Sequence, residues 1–183
     1  MRTKIVLIAA LAVASAAVST AHARPRVQRL QKRFESNKTF GLGLELGSPV
    51  GINGKLFLGE GSDRAVDFGV GYIYDYFNFY GLHIYGDYLF HPVSLVSTEA
   101  FELPFYVGVG GRYWSFQDRG VAPYIDASAL GFRVPLGLSF DLNAVPLDIF
   151  VQVVPTIDLF FNYRPHNLYI DLDASVGFRY WFN

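Results

Sequence analysis

The chain contains no cysteine among its 183 residues. Without thiols it can form no disulfide framework, no thiolate zinc site and no lipid-modified N-terminal cysteine. Long apolar runs are also lacking, because beyond the N-terminal segment no stretch approaches the roughly 20 residues of a membrane-spanning helix. The chain is instead rich in glycine, with 18 residues, and in aromatic side chains, which make up 17% of it. Its length suits a single domain, and so many aromatics are unusual for a soluble one.

Residues 1–23 have the order of a cleaved secretory signal. Two basic residues come first, an apolar run follows, and Ala21-His22-Ala23 supplies the small-x-small site that a signal peptidase needs. A membrane anchor is the alternative, but Ala, Ser and Thr dilute the second half of the apolar run. The sequence therefore predicts export and a mature protein that begins at Arg24.

A basic arm is predicted at residues 24–38, where a single acidic residue accompanies six basic ones: Arg24, Arg26, Arg29, Lys32, Arg33 and Lys38. The arm either attracts anionic lipid headgroups or another polyanion, or it is a solvated leader, and we favour the leader. From Thr39 onward, 15 acidic residues outnumber 7 basic ones. Nucleic-acid binding needs a basic face, so this balance predicts no nucleic-acid partner.

From residue 39 to the end, apolar residues alternate with small or polar ones and the pattern breaks at turn residues, which is typical of β-strands. Most of these segments are close in length to a tilted transmembrane strand, which needs roughly 9–11 residues. We therefore predict an all-β fold over residues 39–183, a single antiparallel up-and-down transmembrane β-barrel of eight strands. The strands are Thr39–Gly47, Gly51–Leu58, Ala65–Tyr74, Tyr80–Phe90, Pro104–Phe116, Ala129–Phe140, Leu147–Leu159 and Leu168–Phe182.

Side-chain volume decides which face of each strand points inward. One face carries bulky apolar residues such as Leu130 and Phe132, and the other carries residues such as Gly131 and Arg133. The interior of an eight-stranded barrel is only wide enough for its own side chains. The glycine-rich face should therefore line the lumen, and the apolar face should meet lipid. A soluble lipocalin-like barrel would need the reverse arrangement.

The last strand and two internal stretches carry a family resemblance. The strand Leu168–Phe182 is apolar at every second residue and ends in an aromatic, with Asn183 after it as a small departure. Together with the stretches 47–55 and 131–151, it resembles a family of small bacterial outer-membrane barrels similar in shape to the membrane domains of OmpA and OmpX. The resemblance implies a Gram-negative-type outer membrane, with its lipid and the barrel-assembly machinery as partners. It implies no site residues.

A polar network is predicted inside the lumen. As a plug it would hold the strands together, and as a narrow pore it would favour cations because acids outnumber bases. We favour the plug, since charges buried in so narrow a barrel must pair. Besides Tyr85, the predicted members are Glu45, Lys55, Asp67, His83, Asp87, Arg112, Arg133, Asp148, Gln152, Asp171, Asp173 and Arg179.

An enzyme is the remaining class, since some outer-membrane barrels are hydrolases. The best candidate pair is His83 with Asp87 on one strand, where a carboxylate could orient an imidazole. No serine nucleophile, metal-ligand spacing or cofactor motif accompanies them, and His91 is interpreted as a turn residue. We expect no enzymatic activity and no cofactor. Binding of a small apolar molecule at the barrel mouth stays open.

Two connections are predicted to be long, His91–Leu103 and Gln117–Ser128. With both termini on the periplasmic side, the first of them would be periplasmic, where barrels usually have short turns. Either the strand count is wrong there by a pair, or this connection has a purpose of its own.

Overall fold

The structure, a computed structural model, describes residues 33–74, 79–118, 125–161 and 168–182. The predicted signal peptide and the first part of the basic arm lie outside these ranges. Within them, no helix is long and apolar enough to cross a membrane. The described elements are β-strands: β1 Phe40–Gly47, β2 Val50–Phe57, β3 Arg64–Tyr74, β4 Phe79–Ser97, β5 Phe101–Asp118, β6 Ile125–Arg133, β7 Leu136–Leu142, β8 Leu147–Phe161 and β9 Leu168–Phe182.

The strands form one closed antiparallel ring. Each strand pairs with the next one around the barrel, and β1 closes the ring by pairing with β9 from Phe40↔Phe182 to Gly47↔Ser175. Closure leaves no unpaired sheet edge. The predicted all-β, antiparallel barrel is confirmed.

The described part of the chain contains nine strands rather than the predicted eight. The segment predicted as Ala129–Phe140 is divided into β6 and β7, which both lie between β5 and β8. The break falls at Val134-Pro135, because a proline has no N–H to donate to a ladder. Flanking hydrogen bonds continue across it, from Val134 N to Pro155 O at 3.0 Å and from Gly108 N to Pro135 O at 2.9 Å. The ring is therefore eight strands wide.

The prediction of a long connection at His91–Leu103 is wrong. β4 and β5 extend through most of it and meet at a tight turn, where Thr98 N donates to Phe101 O at 2.9 Å. The paired register shifts twice, between Phe90 and Val93 and between Ser94 and Val96. These bulges interrupt the period-two pattern, so the segment looked irregular. The strands also extend into the predicted connection Gln117–Ser128, whose residues 119–124 lie outside the described ranges.

The two faces of the wall differ as side-chain volume predicted. Outward apolar side chains are half-exposed on the isolated barrel, as with Leu130 at 52% and Phe132 at 54%, while the inward Arg133 is fully buried. Inward glycines make room for the large side chains of the neighbouring strand. An added Cβ would come within 3.0 Å of that side chain at each of these pairs: Trp181 over Gly41, Tyr85 over Gly69, Leu89 over Gly108, Arg112 over Gly131, Tyr106 over Gly137 and Phe150 over Gly177.

Two apolar clusters lie at opposite ends of the interior. The terminus-side cluster, near the start of β1 and the end of β9, contains Phe34, Phe57, Ala65, Leu89, Tyr106 and Trp181. The loop-side cluster contains Ile73, Trp114, Ala127 and Ala129, with Phe160 packed against it. The three arginine-centred groups described below lie between these two clusters.

Residues 33–38 differ from the solvated leader expected for the basic arm. Phe34, Ser36 and Lys38 are buried, whereas the residues alternating with them are exposed. The charge pattern alone suggested a solvated segment, but every second side chain of this stretch enters the terminus-side mouth.

Candidate functional site

The barrel interior contains the predicted polar side chains. Eleven of the twelve are at most 3% exposed, and the side chain of the twelfth, Asp171, is 32% exposed. Strand parity is the cause, because every second residue of a strand faces the lumen. The structure brings these side chains together in three groups, centred on Arg179, Arg112 and Arg133.

Arg179, on β9, joins its own strand to three others, β2, β3 and β8. Its Nε and NH2 contact the two carboxylate oxygens of Asp148 at 3.1 Å each, and its NH1 lies 3.3 Å from Asp67 Oδ2. The NH1 also donates to Asn53 Oδ1 at 3.1 Å, and the guanidinium stacks over the Phe150 ring at 4.1 Å. Two carboxylates and an aromatic ring therefore compensate the buried charge of this arginine.

Glu45, on β1, is the second centre of the same group. Its carboxylate accepts hydrogen bonds from Tyr85 Oη at 2.5 Å, from Gln152 Nε2 at 3.0 Å and from Ser175 Oγ. Asn53 Nδ2 donates to the same Tyr85 oxygen at 2.6 Å, which links the Glu45 contacts to those of Arg179. The group thus spans strands on both sides of the lumen and fastens them to one another.

Arg112, on β5, reaches across Gly131 to a carboxylate of β8. Its Nε donates to Asp158 Oδ1 at 2.9 Å, and its NH2 bonds the second oxygen of the same carboxylate. NH1 contacts Asp173 and NH2 lies 3.3 Å from Asp171. One fully buried guanidinium therefore compensates three acids.

Arg133 has the least complete set of partners. Its Nε lies 3.1 Å from Asp87 Oδ1, and its guanidinium stacks 3.9 Å above the Tyr85 ring. The contact lacks hydrogen-bond alignment, since neither group has a hydrogen-bond partner within the described residues. The same holds for both ring nitrogens of His83. The structure thus does not join His83 to Asp87 by a hydrogen bond, although both face the lumen from β4.

Parity reasoning missed several members of the interior. Asp158 is fully buried between the outward residues Ile157 and Leu159, so the alternation already signalled it. His91 was predicted to be a turn residue, but it lies in β4, fully buried, with Nδ1 3.1 Å from Asp63 O. Its neighbour Pro92 suggested a turn, whereas a bulge absorbs the proline within the strand. Asn53 and Thr156 are polar members of the interior that were missed as well.

The terminus-side mouth has its own ion pair. Lys38 Nζ contacts the Asp141 carboxylate and lies 3.4 Å from Leu142 O. Burial lowers the pKa of the Lys38 ammonium, while the charges of Asp148 and Glu102 act in the opposite direction. The described ranges contain no group of three or more His, Cys, Asp or Glu side chains arranged to hold a metal ion.

Comparisons with known proteins agree with this architecture. The profile of a family described as "Protein of unknown function (DUF3996)" matches residues 31–180. No curated protein sequence matches the chain significantly. The chain is similar to the crystal structure of the N-terminal β-barrel domain of OprF from Pseudomonas aeruginosa, with a TM-score of 0.54 and 13% identity over 81% of this chain and 99% of that one. At this identity the likeness shows the barrel fold alone.

Proposed function

The chain belongs to the DUF3996 family of proteins of unknown function, and we propose that it is a non-enzymatic integral protein of the bacterial outer membrane with a largely closed lumen. Its role in this proposal is structural or interactive, as a barrel anchored in the membrane. The observation that carries the proposal is the combination of an apolar outer wall with an interior filled by ion pairs.

The apolar wall supports residence in a membrane. Side chains that neighbour one another around the ring, such as Ile84, Tyr113 and Leu130, are 44%, 42% and 52% exposed on the isolated barrel. Soluble monomers rarely expose contiguous apolar patches larger than a few hundred Å². A closed ring satisfies all the backbone groups of its wall, which is what hydrocarbon surroundings require. Lipid is therefore the natural environment of this wall.

The chain ends support the outer membrane in particular. A predicted signal at residues 1–23 would deliver the chain across the inner membrane. The outward side chains Phe178, Tyr180 and Phe182 form an aromatic row at the end of β9, the strand that closes the ring. We propose that the barrel-assembly machinery of a Gram-negative-type bacterium recognises this row.

The interior supports a closed lumen. The arginine-centred groups lie between two apolar clusters, one at each end of the barrel. An eight-stranded barrel leaves little space beyond that of its own side chains. Breaking a buried ion pair costs about 3–5 kcal/mol, so spontaneous opening through these groups would be rare. The absence of a hydrogen bond between His83 and Asp87 supports the non-enzymatic part of the proposal.

A narrow cation-preferring pore is the second candidate, and the charge of the interior favours it. Four interior bases, Lys55, Arg112, Arg133 and Arg179, accompany seven interior acids: Glu45, Asp67, Asp87, Asp148, Asp158, Asp171 and Asp173. An excess of acids would attract cations to any water path through the lumen.

Conductance of the purified protein in planar lipid bilayers distinguishes the two candidates. We expect no steady porin-sized current from the wild type, and a small cation-preferring leak from Arg133→Ala, since that variant leaves Asp87 without its counter-charge. Gly86→Ala, which changes the outer wall only, is the matched control and should stay silent. Heat-modifiable electrophoretic mobility verifies that each variant is folded. Steady porin-sized currents from the wild type would contradict the closed lumen and favour the pore.

The enzymatic alternative has its own test. Purified wild type and His83→Ala should show the same background rate on lipid and peptide substrates. A hydrolysis that the wild type performs and His83→Ala loses would contradict the non-enzymatic proposal.

A further inference from the structure

The segment Arg33–Lys38, which we call the stopper, precedes the barrel and folds back into its terminus-side mouth. Its alternate side chains point inward, with Phe34 2%, Ser36 6% and Lys38 7% exposed. The ring of the barrel closes without it, since β1 begins at Phe40 and pairs directly with β9. The stopper is therefore an addition to the mouth rather than a part of the wall.

The mouth surrounds Phe34 with aromatic rings. The Phe34 ring lies 5.8 Å from that of Phe57 and 5.2 Å from that of His91, and Phe57 in turn stacks on Trp181 at 5.5 Å. His91 also contacts Tyr106 at 5.5 Å. These rings come from four strands, so the barrel wall itself forms the pocket. Ring pairs at such separations favour an aromatic occupant.

The layer below the pocket is charged. Lys55 Nζ lies 4.6 Å from the centre of the Tyr106 ring and 5.5 Å from that of Phe57. Phe34 and its aromatic neighbours therefore separate the terminus-side water from the Lys55 side chain.

Backbone and polar contacts fix the register of the stopper. Ser36 N donates to Ser62 O at 3.3 Å, and Gly61 N donates to Ser36 O at 3.0 Å, so the stopper pairs with the β2–β3 turn as an added strand would. Arg33 NH2 lies 3.2 Å from Asp63 Oδ2 at one end, and Lys38 contacts Asp141 at the other. Main-chain pairing together with a pocket for alternate side chains is the usual way in which a protein binds an extended peptide.

We propose that the terminus-side mouth is a binding site for an extended peptide segment with one aromatic side chain, and that the stopper occupies it in cis and can be removed. The pattern that the site reads is an aromatic residue, a small hydroxyl residue two positions later and a cation two positions after that. Removing the stopper opens the aromatic pocket to water and leaves the wall of the barrel intact.

Accessibility of an engineered thiol tests this proposal, because the chain has no cysteine of its own. Ala65, fully buried in the terminus-side cluster, becomes the reporter as Ala65→Cys. Ala127→Cys, in the loop-side cluster, is the control reporter. Both are compared in detergent, with a small thiol reagent, in the mature chain and in a chain that starts at Thr39 and so lacks the whole stopper. We expect truncation to speed labelling of Ala65→Cys at least tenfold and to leave Ala127→Cys unchanged.

A peptide supplied in trans tests the specificity of the site. The peptide Arg-Phe-Glu-Ser-Asn-Lys should slow the labelling of the truncated Ala65→Cys barrel again, whereas the same peptide with alanine in place of phenylalanine should not. In the full chain, Phe34→Ala should speed labelling and the exposed-site control Asn37→Ala should not. Equal labelling rates with and without the stopper, or no protection by the peptide, would overturn the proposal. So would a truncated chain that fails to fold, because the segment would then be a required part of the barrel.

Discussion

Replacing Gly131 by alanine should destabilise the barrel, although it adds a single methyl group. The new Cβ would lie 2.1 Å from Asp158 Oδ1 and 2.8 Å from Arg112 Cγ, whereas ordinary contact begins at 3.4 Å. The carboxylate would have to retreat by about 1.3 Å, which is the difference between 3.4 and 2.1 Å. Its two-point pairing with Arg112 cannot survive such a movement in a close-packed interior.

The expected loss in the free energy of unfolding of Gly131→Ala has two parts. Overpacking a well-filled interior costs about 1–3 kcal/mol, and a hydrogen bond to a charged group contributes about 1.5–3 kcal/mol. Since the pair is distorted rather than deleted, we expect a loss of about 3 kcal/mol in the free energy of unfolding. Gly86→Ala is the matched control, because its Cβ would face outward with no atom within 4 Å. It should change that free energy by less than about 0.5 kcal/mol.

Urea unfolding in lipid vesicles, followed by the fluorescence of Trp114 and Trp181, measures both variants. Heat-modifiable mobility on gels provides an independent check of folding. If Gly131→Ala unfolds at the same urea concentration as Gly86→Ala, the long inward side chains do not depend on the inward glycines for their space.

Three further predictions concern the apolar belt, a buried ion pair and the start of the mature chain. Val176→Arg, near the middle of β9, should destabilise the barrel in vesicles by about 2–4 kcal/mol, and Leu168→Arg, at the loop-side end of the same strand, by about 0–1 kcal/mol. Equal losses would contradict the apolar belt. Arg133→Met alone should cost about 3–5 kcal/mol, because it strands Asp87, and adding Asp87→Leu should restore most of the stability. A double variant as unstable as Arg133→Met would show that the pair is not the cause. Mass spectrometry of membrane-extracted protein should find Arg24 as the first residue, and an intact Met1 would rule out cleavage after Ala23.

The alternation of residues was enough to predict the barrel and most of its interior. Side-chain volume on alternate faces placed Arg133 inward and Leu130 outward, and the structure has both arranged in this way. The same parity also assigns Asp158 to the lumen, because it lies between the outward residues Ile157 and Leu159. The alternation is informative because a strand has only two faces, and the face that meets lipid must carry apolar side chains.

Other features could not be predicted in this way, because they depend on partners distant in sequence. The bulges that carry β4 past Pro92 shift the parity, so periodicity fails there. The stopper looked like a solvated basic arm, since the rings that bury Phe34 come from strands spread over the whole barrel. Parity also cannot tell which acid pairs with which base. Arg112 reaches Asp158 only because Gly131, on the strand between them, has no side chain.

The inward glycines help to set the shear of the barrel, which is the stagger between neighbouring strands around the ring. If one strand slipped by two residues along its neighbour, every apolar side chain would still face lipid, so the outer wall cannot distinguish the two alignments. Inside, a slip of β6 along β5 would set Arg112 against Ala129 or Arg133 instead of Gly131, and both of these residues carry a side chain. The lumen therefore encodes the stagger of the strands, and with it the tilt and circumference of the barrel.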